Sequence, residues 1–277
     1  MEIRVDDTLI VCDAGSGIRE LGMDLMKRGG PVVCHLFFSH AHWDHIQGFP
    51  FFTPSYVPGN TVYVYGQAEG DERFFKLISG QMDSPDYFPV KFSDLGANIV
   101  PSFLDNGVGT VDEVTVRCIE QQHPSLGYAF EVGGHKVVYA TDSELDLLLA
   151  DPKAPERDPE AVRQLPEDLV SFCRGADLLI SDGQYTDEEY PSKAGWGHAR
   201  ATTVADLAVQ AGVRQLALFH HDPMHADGFV EDMVATAQER ARRQGSEVFV
   251  FGAREGVELR IGERAQEAAT AEPVDVA

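Results

Sequence analysis

The sequence predicts an α+β fold, with sheets covered on one face by another sheet and on the other by helices. Three observations predict it. Strand-like segments first cluster and then alternate with helical ones. Several strands are unbroken apolar runs. No internal repeat or low-complexity linker interrupts the series. At 277 residues and 43% apolar side chains, the chain can bury a sizeable core. We read residues 1–262 as one domain and 263–277, rich in Ala and Glu, as a mobile tail.

The elements follow in order. Thr8–Cys12 reads as a strand and leads into the glycine-rich turn Asp13-Ala14-Gly15-Ser16-Gly17. Ile18, Leu21 and Leu25 then recur at helical spacing, with Gly29-Gly30 as the stop. Val32–Phe38 is an apolar strand. Prolines 50, 54 and 58 weaken any helix between Phe49 and Asn60. Thr61–Tyr65 reads as a strand, Asp71–Gln81 as a helix, and Val114–Ile119 as a half-buried strand. Tyr128–Val132 and Lys136–Ala140 flank Gly133-Gly134 as a hairpin. A helix is expected within Glu160–Gly175, a strand at Ala176–Ile180, a helix at Ala201–Ala211 and a strand at Gln215–Phe219. A charged helix over Val230–Gln244 and strands at Glu247–Phe251 and Gly256–Ile261 complete the series.

The formal net charge is −23, from 45 acidic against 22 basic residues. Binding to a long nucleic acid leans on Lys and Arg neutralising phosphates, and no basic run of that kind exists here. The balance argues against a large nucleic-acid partner. No apolar run is long enough for a membrane span, and no basic-then-apolar leader opens the chain. Cys12, Cys34, Cys118 and Cys173 are scattered without a CxxC pair, which suits reduced, mostly buried thiols and a cytoplasmic location. The sequence leaves monomer and homodimer open.

Ser39-His40-Ala41-His42-Trp43-Asp44-His45 is the segment that carries chemistry. It holds three of the ten histidines within six positions. Imidazole and carboxylate are the usual ligands of zinc and similar divalent metals. In an extended loop residues two apart point the same way, so His40 and His42 can reach one metal. If the chain then turns, Asp44 and His45 face a second. Partner ligands are offered just after strands: His123, Asp142 and His220, the last preferred to His221 because it directly ends its strand. Asp142 also suits a helix N-cap in Thr141-Asp142-Ser143-Glu144. Asp182, likewise after a strand, is a reserve ligand or a hydrogen-bond partner of one.

With these residues in view, the chain resembles the metallo-β-lactamase superfamily. His40–His45 matches its HxHxDH signature, His123, Asp142 and His220 stand where its later ligands follow in order, and the Asp13–Gly17 turn resembles the loop ahead of the signature. The likeness spans about Thr8 to Ile261. It implies a four-layer αββα sandwich with metals at one edge. It implies that His40, His42 and His123 bind one metal, Asp44, His45 and His220 the other, and that Asp142 bridges them. Asp13 would hold a ligand histidine. Zinc is the first expectation, with manganese or iron as alternatives. A bridging carboxylate, together with Gly195-Trp196-Gly197-His198-Ala199, resembles the ribonuclease Z-like and cyclic-phosphate phosphodiesterase branch, where a Gly-His-Ser/Thr segment brings a histidine to the scissile phosphate. Ala199 stands here in place of a hydroxyl residue. Relatives open with one or two further strands, so a shortened sheet edge is expected at Glu2–Val5.

The resulting expectation is a two-metal phosphodiesterase acting on a small, cyclic phosphodiester. A hydroxide held between metals ~3.5–4 Å apart attacks phosphorus, and His198 contacts a phosphate oxygen or protonates the leaving group. Asp44 orients the nucleophile. His225 and Asp227 are candidates for the mouth of the site. Phe49–Ser102 is expected to build the substrate rim, with Tyr56, Met82, Tyr87 and Phe88 exposed for stacking. A glyoxalase II-like thioester or lactone hydrolase and a non-catalytic metal-binding protein are the alternatives.

Overall fold

The computed structural model describes residues 1–66 and 73–261. The expected tail lies outside them. The chain divides into two compact units, Met1–Cys118 and the residues from Ile119 onward.

In the first unit, strands β1 (Glu2–Val5), β2 (Thr8–Cys12), β3 (Val33–Phe37), β4 (Thr61–Tyr65) and β5 (Asn98–Pro101) form one sheet in that order. β1 and β2 are antiparallel, and the other neighbours are parallel. β2 is buried along its whole length, which is why it reads as a continuous apolar run. Helix α1 (Ile18–Arg28) lays Ile18 and Leu25 into a core that includes Leu9, Val11, Leu36, Phe49, Phe52 and Val64. α2 (Trp43–Ile46) is a single turn, and α3 (Arg73–Gly80) buries Phe74 and Ile78. β6 (Val108–Val111) pairs antiparallel with β7 (Val114–Glu120), the strand on which the chain passes into the second unit.

The second unit contains β8 (Leu126–Val132), β9 (His135–Ala140), β10 (Leu178–Asp182), β11 (Gln215–Phe219) and β12 (Phe249–Gly252), in the order β12-β11-β10-β9-β8. β8 and β9 form the antiparallel hairpin expected around Gly133-Gly134. The remaining neighbours are parallel. Helices α4 (Ala154–Arg157), α5 (Glu167–Cys173), α6 (Ala201–Gln210) and α7 (Asp227–Arg243) connect them. The apolar core joins α5, α6 and α7 to the sheet through Leu169, Val204, Leu207, Leu216, Met233 and Val250. Two mixed sheets with helices are the architecture of the expected α+β class.

Several boundaries differ from expectation, each for a local reason. β1, β5 and β6 carry charged, Pro and Gly residues that lower strand propensity, yet backbone pairing makes them strands. Gly256–Ile261 is not a strand. β10 runs two residues later than expected, so Asp182 is its last residue and not the loop residue after it. α5 begins only after Pro166, whose ring suits a helix start and not its interior. α3 starts at Arg73, and Asp71 lies outside the described residues. Met82, expected to be exposed, is fully buried. Among the described residues no helix is long and apolar enough to cross a membrane.

Candidate active site

The first unit builds its histidine loop on the ends of β2 and β3. Ser39 to His42 runs extended, with φ −64° and ψ 151° at His42, and α2 then turns the chain. That turn brings His45 back beside His40. The rings of His40 and His42 lie 4.4 Å apart and those of His40 and His45 4.3 Å apart. Asp44 is exposed, while His45 is buried. Asp13 ties the loop together. Its carboxylate accepts the Ser39 amide at 2.7 Å and the Ser39 hydroxyl at 2.8 Å, and lies 2.8 Å from His45 Nδ1. Ser39 Oγ is 3.0 Å from His40 Nδ1. A carboxylate on Nδ1 fixes the tautomer in which the opposite nitrogen, Nε2, has a lone pair for a metal. His45 meets that requirement. The approach is close enough to demand glycine: a Cβ on Gly15 would lie 2.6 Å from the Asp44 carbonyl oxygen.

The second unit gathers its groups at strand ends. Asp142 follows β9 and His220 follows β11, with φ of +53° and +57°. Asp13 in the first unit, just after β2, has φ +59°. A left-handed conformation in a residue other than glycine costs on the order of 1–3 kcal/mol and clusters at functional sites. Here it re-aims a side chain where the strand stops. One ligand-type atom each from Asp142, His198 and His220 falls within 4.8 Å of the others, with His220 Nε2 3.4 Å from Asp142 Oδ1. The His198 ring stacks on His220 at 4.8 Å and on His123 at 6.5 Å. Thr141 Oγ1 donates to Asp142 Oδ2 at 2.8 Å, and Ser125 Oγ donates to the Asp142 carbonyl at 2.8 Å. Two imidazoles and a carboxylate within this reach suit a divalent cation of borderline softness.

Asp182, fully buried, lies 2.6 Å from His198 Nδ1 through Oδ2 and accepts the Gln184 amide through Oδ1. Burial pushes its carboxyl up from the usual range, and the hydrogen bond from His198 opposes this. His221 turns toward Gly252 on β12. His225 Nε2 lies 2.8 Å from Glu189 Oε1 and its ring packs on Phe229 at 4.3 Å. Asp227 opens α7. Tyr87 is 88% exposed, whereas Tyr56 and Phe88 are half-buried.

Sequence reasoning missed Glu144. The Thr141–Glu144 segment does not start an α-helix; a short 3-10 turn covers Leu145–Leu148, with Glu144 and not Asp142 at its N-cap position. Glu144, almost fully buried, accepts the Tyr190 hydroxyl at 2.6 Å, the Gly195 amide at 2.7 Å and the Gly197 amide at 2.8 Å. It thereby fixes the loop that carries His198. Gly197 is needed there, since a Cβ would come within 2.6 Å of His123 Nδ1 at a φ of +95°. Two glycines flanking Trp196 were the available signal. Below them, Asp146 pairs with Arg200 Nη1 at 2.7 Å, and the Arg200 guanidinium lies over the Tyr190 ring at 4.0 Å.

Residues 8–221 match the family model of the Beta-lactamase superfamily domain, a span that contains every group from Asp13 to His220. The ribonuclease Z of Methanosarcina acetivorans is 29% identical over 265 residues, covering 81% of this chain and 82% of that protein. The metallo-beta-lactamase fold protein YhfI from Bacillus subtilis superposes with a TM-score of 0.61 at 19% identity, over 91% of this chain and 87% of its own. Human tRNase Z, short form, gives 0.54 at 18% identity, over 90% and 88%. The latter two share the fold, the metallo-β-lactamase α+β sandwich. By the span of the match and the fold, this chain belongs to the β-lactamase superfamily.

Proposed function

We propose that the chain is a metal-dependent phosphodiesterase whose metal ligands are His40, His42, Asp44, His45, His123, Asp142 and His220. The observation that carries this reading is the Asp182–His198 pair set beside Asp142 and His220, together with a ribonuclease Z as relative. Asp182 on Nδ1 orients the His198 ring so that Nε2 is the nitrogen left to meet a phosphate oxygen or a leaving alkoxide. Two divalent ions, zinc first, would supply Lewis acidity: a nucleophile near neutral pH and offset of phosphate charge. His198 donates from Nε2, Asp182 keeps its ring oriented, and Asp44 orients the attacking water. Asp13 holds His45 in its ligating tautomer.

A small phosphodiester fits a chain of net charge −23. A ribonuclease acts on RNA, so an RNA strand is the other substrate class, with electrostatic repulsion against it. We place the protein in the cytoplasm on its scattered, mostly buried thiols. The test is hydrolysis of bis(p-nitrophenyl) phosphate by metal-loaded protein, with elemental analysis. His198→Ala is expected to lower kcat by about a hundredfold with metal content unchanged. Cleavage of thioesters or lactones but no phosphodiester would overturn the reading, and loss of metal from His198→Ala would make His198 a ligand.

A further inference from the structure

One feature of the second unit has no part in the groups described above. Lys193 lies five residues before His198, on the same loop. Its ammonium sits 4.2 Å from the centroid of the Trp196 ring and 5.9 Å from that of Tyr185. Tyr185 in turn packs edge-on against His198, with centroids 6.0 Å apart. Tyr185 thus neighbours both the cation and the histidine assigned to the phosphate. Among the described residues Lys193 makes no ion pair, in a chain with twice as many acidic as basic residues. The carboxylates around Tyr185 are committed elsewhere: Asp182 to His198, Glu144 to the loop amides, Glu189 to His225 and Asp222 to the Met224 amide. Two aromatic faces hold the ammonium without neutralising it.

Trp196 is 60% exposed and covered on one face by that ammonium. An exposed indole on an unanchored loop would be a weak platform, because ordering it costs entropy on binding. This loop is anchored. Glu144 accepts the amides on both sides of Trp196, and Tyr190, which donates to the same carboxylate, is backed by the buried Arg200–Asp146 pair. The indole is presented in advance of any ligand.

We propose that Lys193 and Trp196 form a nucleotide-recognition element: the free part of the indole stacks a base, and Lys193 binds an anionic group beyond the scissile phosphodiester. The proposal deepens the phosphodiesterase reading and rests on it. It names the substrate as a phosphodiester carrying a nucleobase and a further phosphate, in preference to a cyclic sugar phosphate.

The test compares three chromogenic esters with the same leaving group: methyl p-nitrophenyl phosphate, thymidine 5′-p-nitrophenyl phosphate, and the 3′-phosphorylated form of the latter. Trp196→Ala is expected to raise KM about tenfold for the two thymidine esters and to leave the methyl ester unchanged. Lys193→Ala is expected to raise KM for the 3′-phosphorylated ester several-fold more than for the other two. kcat for the methyl ester stays within twofold in both variants. Equal changes across all three esters, or none, overturn the proposal while leaving the phosphodiesterase reading intact; failure of the unsubstituted protein to cleave any of them overturns that reading. Binding gives a second readout. The chain has two tryptophans, so thymidine 3′,5′-bisphosphate should quench the fluorescence of the parent chain saturably and that of Trp196→Phe not at all. Absence of quenching up to millimolar nucleotide counts against the element.

Discussion

In the first unit, four ligand-type residues sit between Ser39 and His45, on one loop and one helical turn. In the second, His123, Asp142, His198 and His220 come from four separate connections, three of them brought together within 4.8 Å. Each set is tied down by a buried carboxylate. Asp13 holds Ser39 and His45, and Glu144 holds the amides of Gly195 and Gly197. The first carboxylate acts on a ring nitrogen of His45 as well as on the Ser39 amide, the second on the backbone one and three residues before His198. In the first unit one carboxylate, Asp13, holds both a backbone amide and a histidine ring, whereas in the second unit these tasks fall to two, Glu144 on the backbone and Asp182 on the ring.

That distinction can be broken by substitution. Removing a ligand should have the largest effect in either unit: His42→Ala and Asp142→Ala are each expected to lower kcat/KM about a thousandfold, the scale of several kcal/mol of lost charge stabilisation. Metal content by elemental analysis should fall in both. If Asp142→Ala kept full metal and activity, its assignment would fail.

The two carboxylates should then separate. Asp13→Ala is expected to weaken metal binding about 10–100-fold, read by chelator competition, with most activity restored at saturating metal. Glu144→Gln retains one acceptor and turns an amide group toward backbone N–H donors. It is expected to lower kcat about tenfold through misplacement of His198, with metal affinity unchanged. The reverse pattern would erase the contrast between the units.

The smallest effect concerns the buried thiols. Burial pushes Cys34 in the first unit and Cys173 in the second from 9.0 up to about 12. A raised thiol pKa means that the native state binds the proton more tightly than the unfolded chain. The stabilisation is complete below pH 9 and is lost as pH rises from there toward 12. Denaturation midpoints measured between pH 8 and 11 should fall, and less steeply in Cys34→Ala and Cys173→Ala than in the parent chain. At pH 8 both thiols should resist alkylation in the native protein.

The histidine loop was legible because its spacing alone puts His40 beside His42, whereas the return of His45 to within 4.3 Å of His40 depends on the turn of α2. Asp142 and His220 were legible only as ligand types placed after apolar strands, and Asp182 was placed one step wrong because β10 extends to include it. Met82 was misread because an apolar side chain after an amphipathic helix has no sequence signal for which side it takes. Glu144 was unreadable: its partners at positions 190, 195 and 197 lie 46 to 53 residues away, and a lone glutamate after an aspartate looks like a helix start.

Local residue order thus determined the histidine loop, the principal strands and helices, and the α+β class, since side-chain periodicity and residue spacing act over a few residues. Tertiary structure alone decided which carboxylate anchors the His198 loop, which strand-end residues adopt the left-handed backbone, and where a lysine meets an exposed indole. Those outcomes depend on hydrogen bonds and burial between segments distant in the chain, for which no local pattern exists.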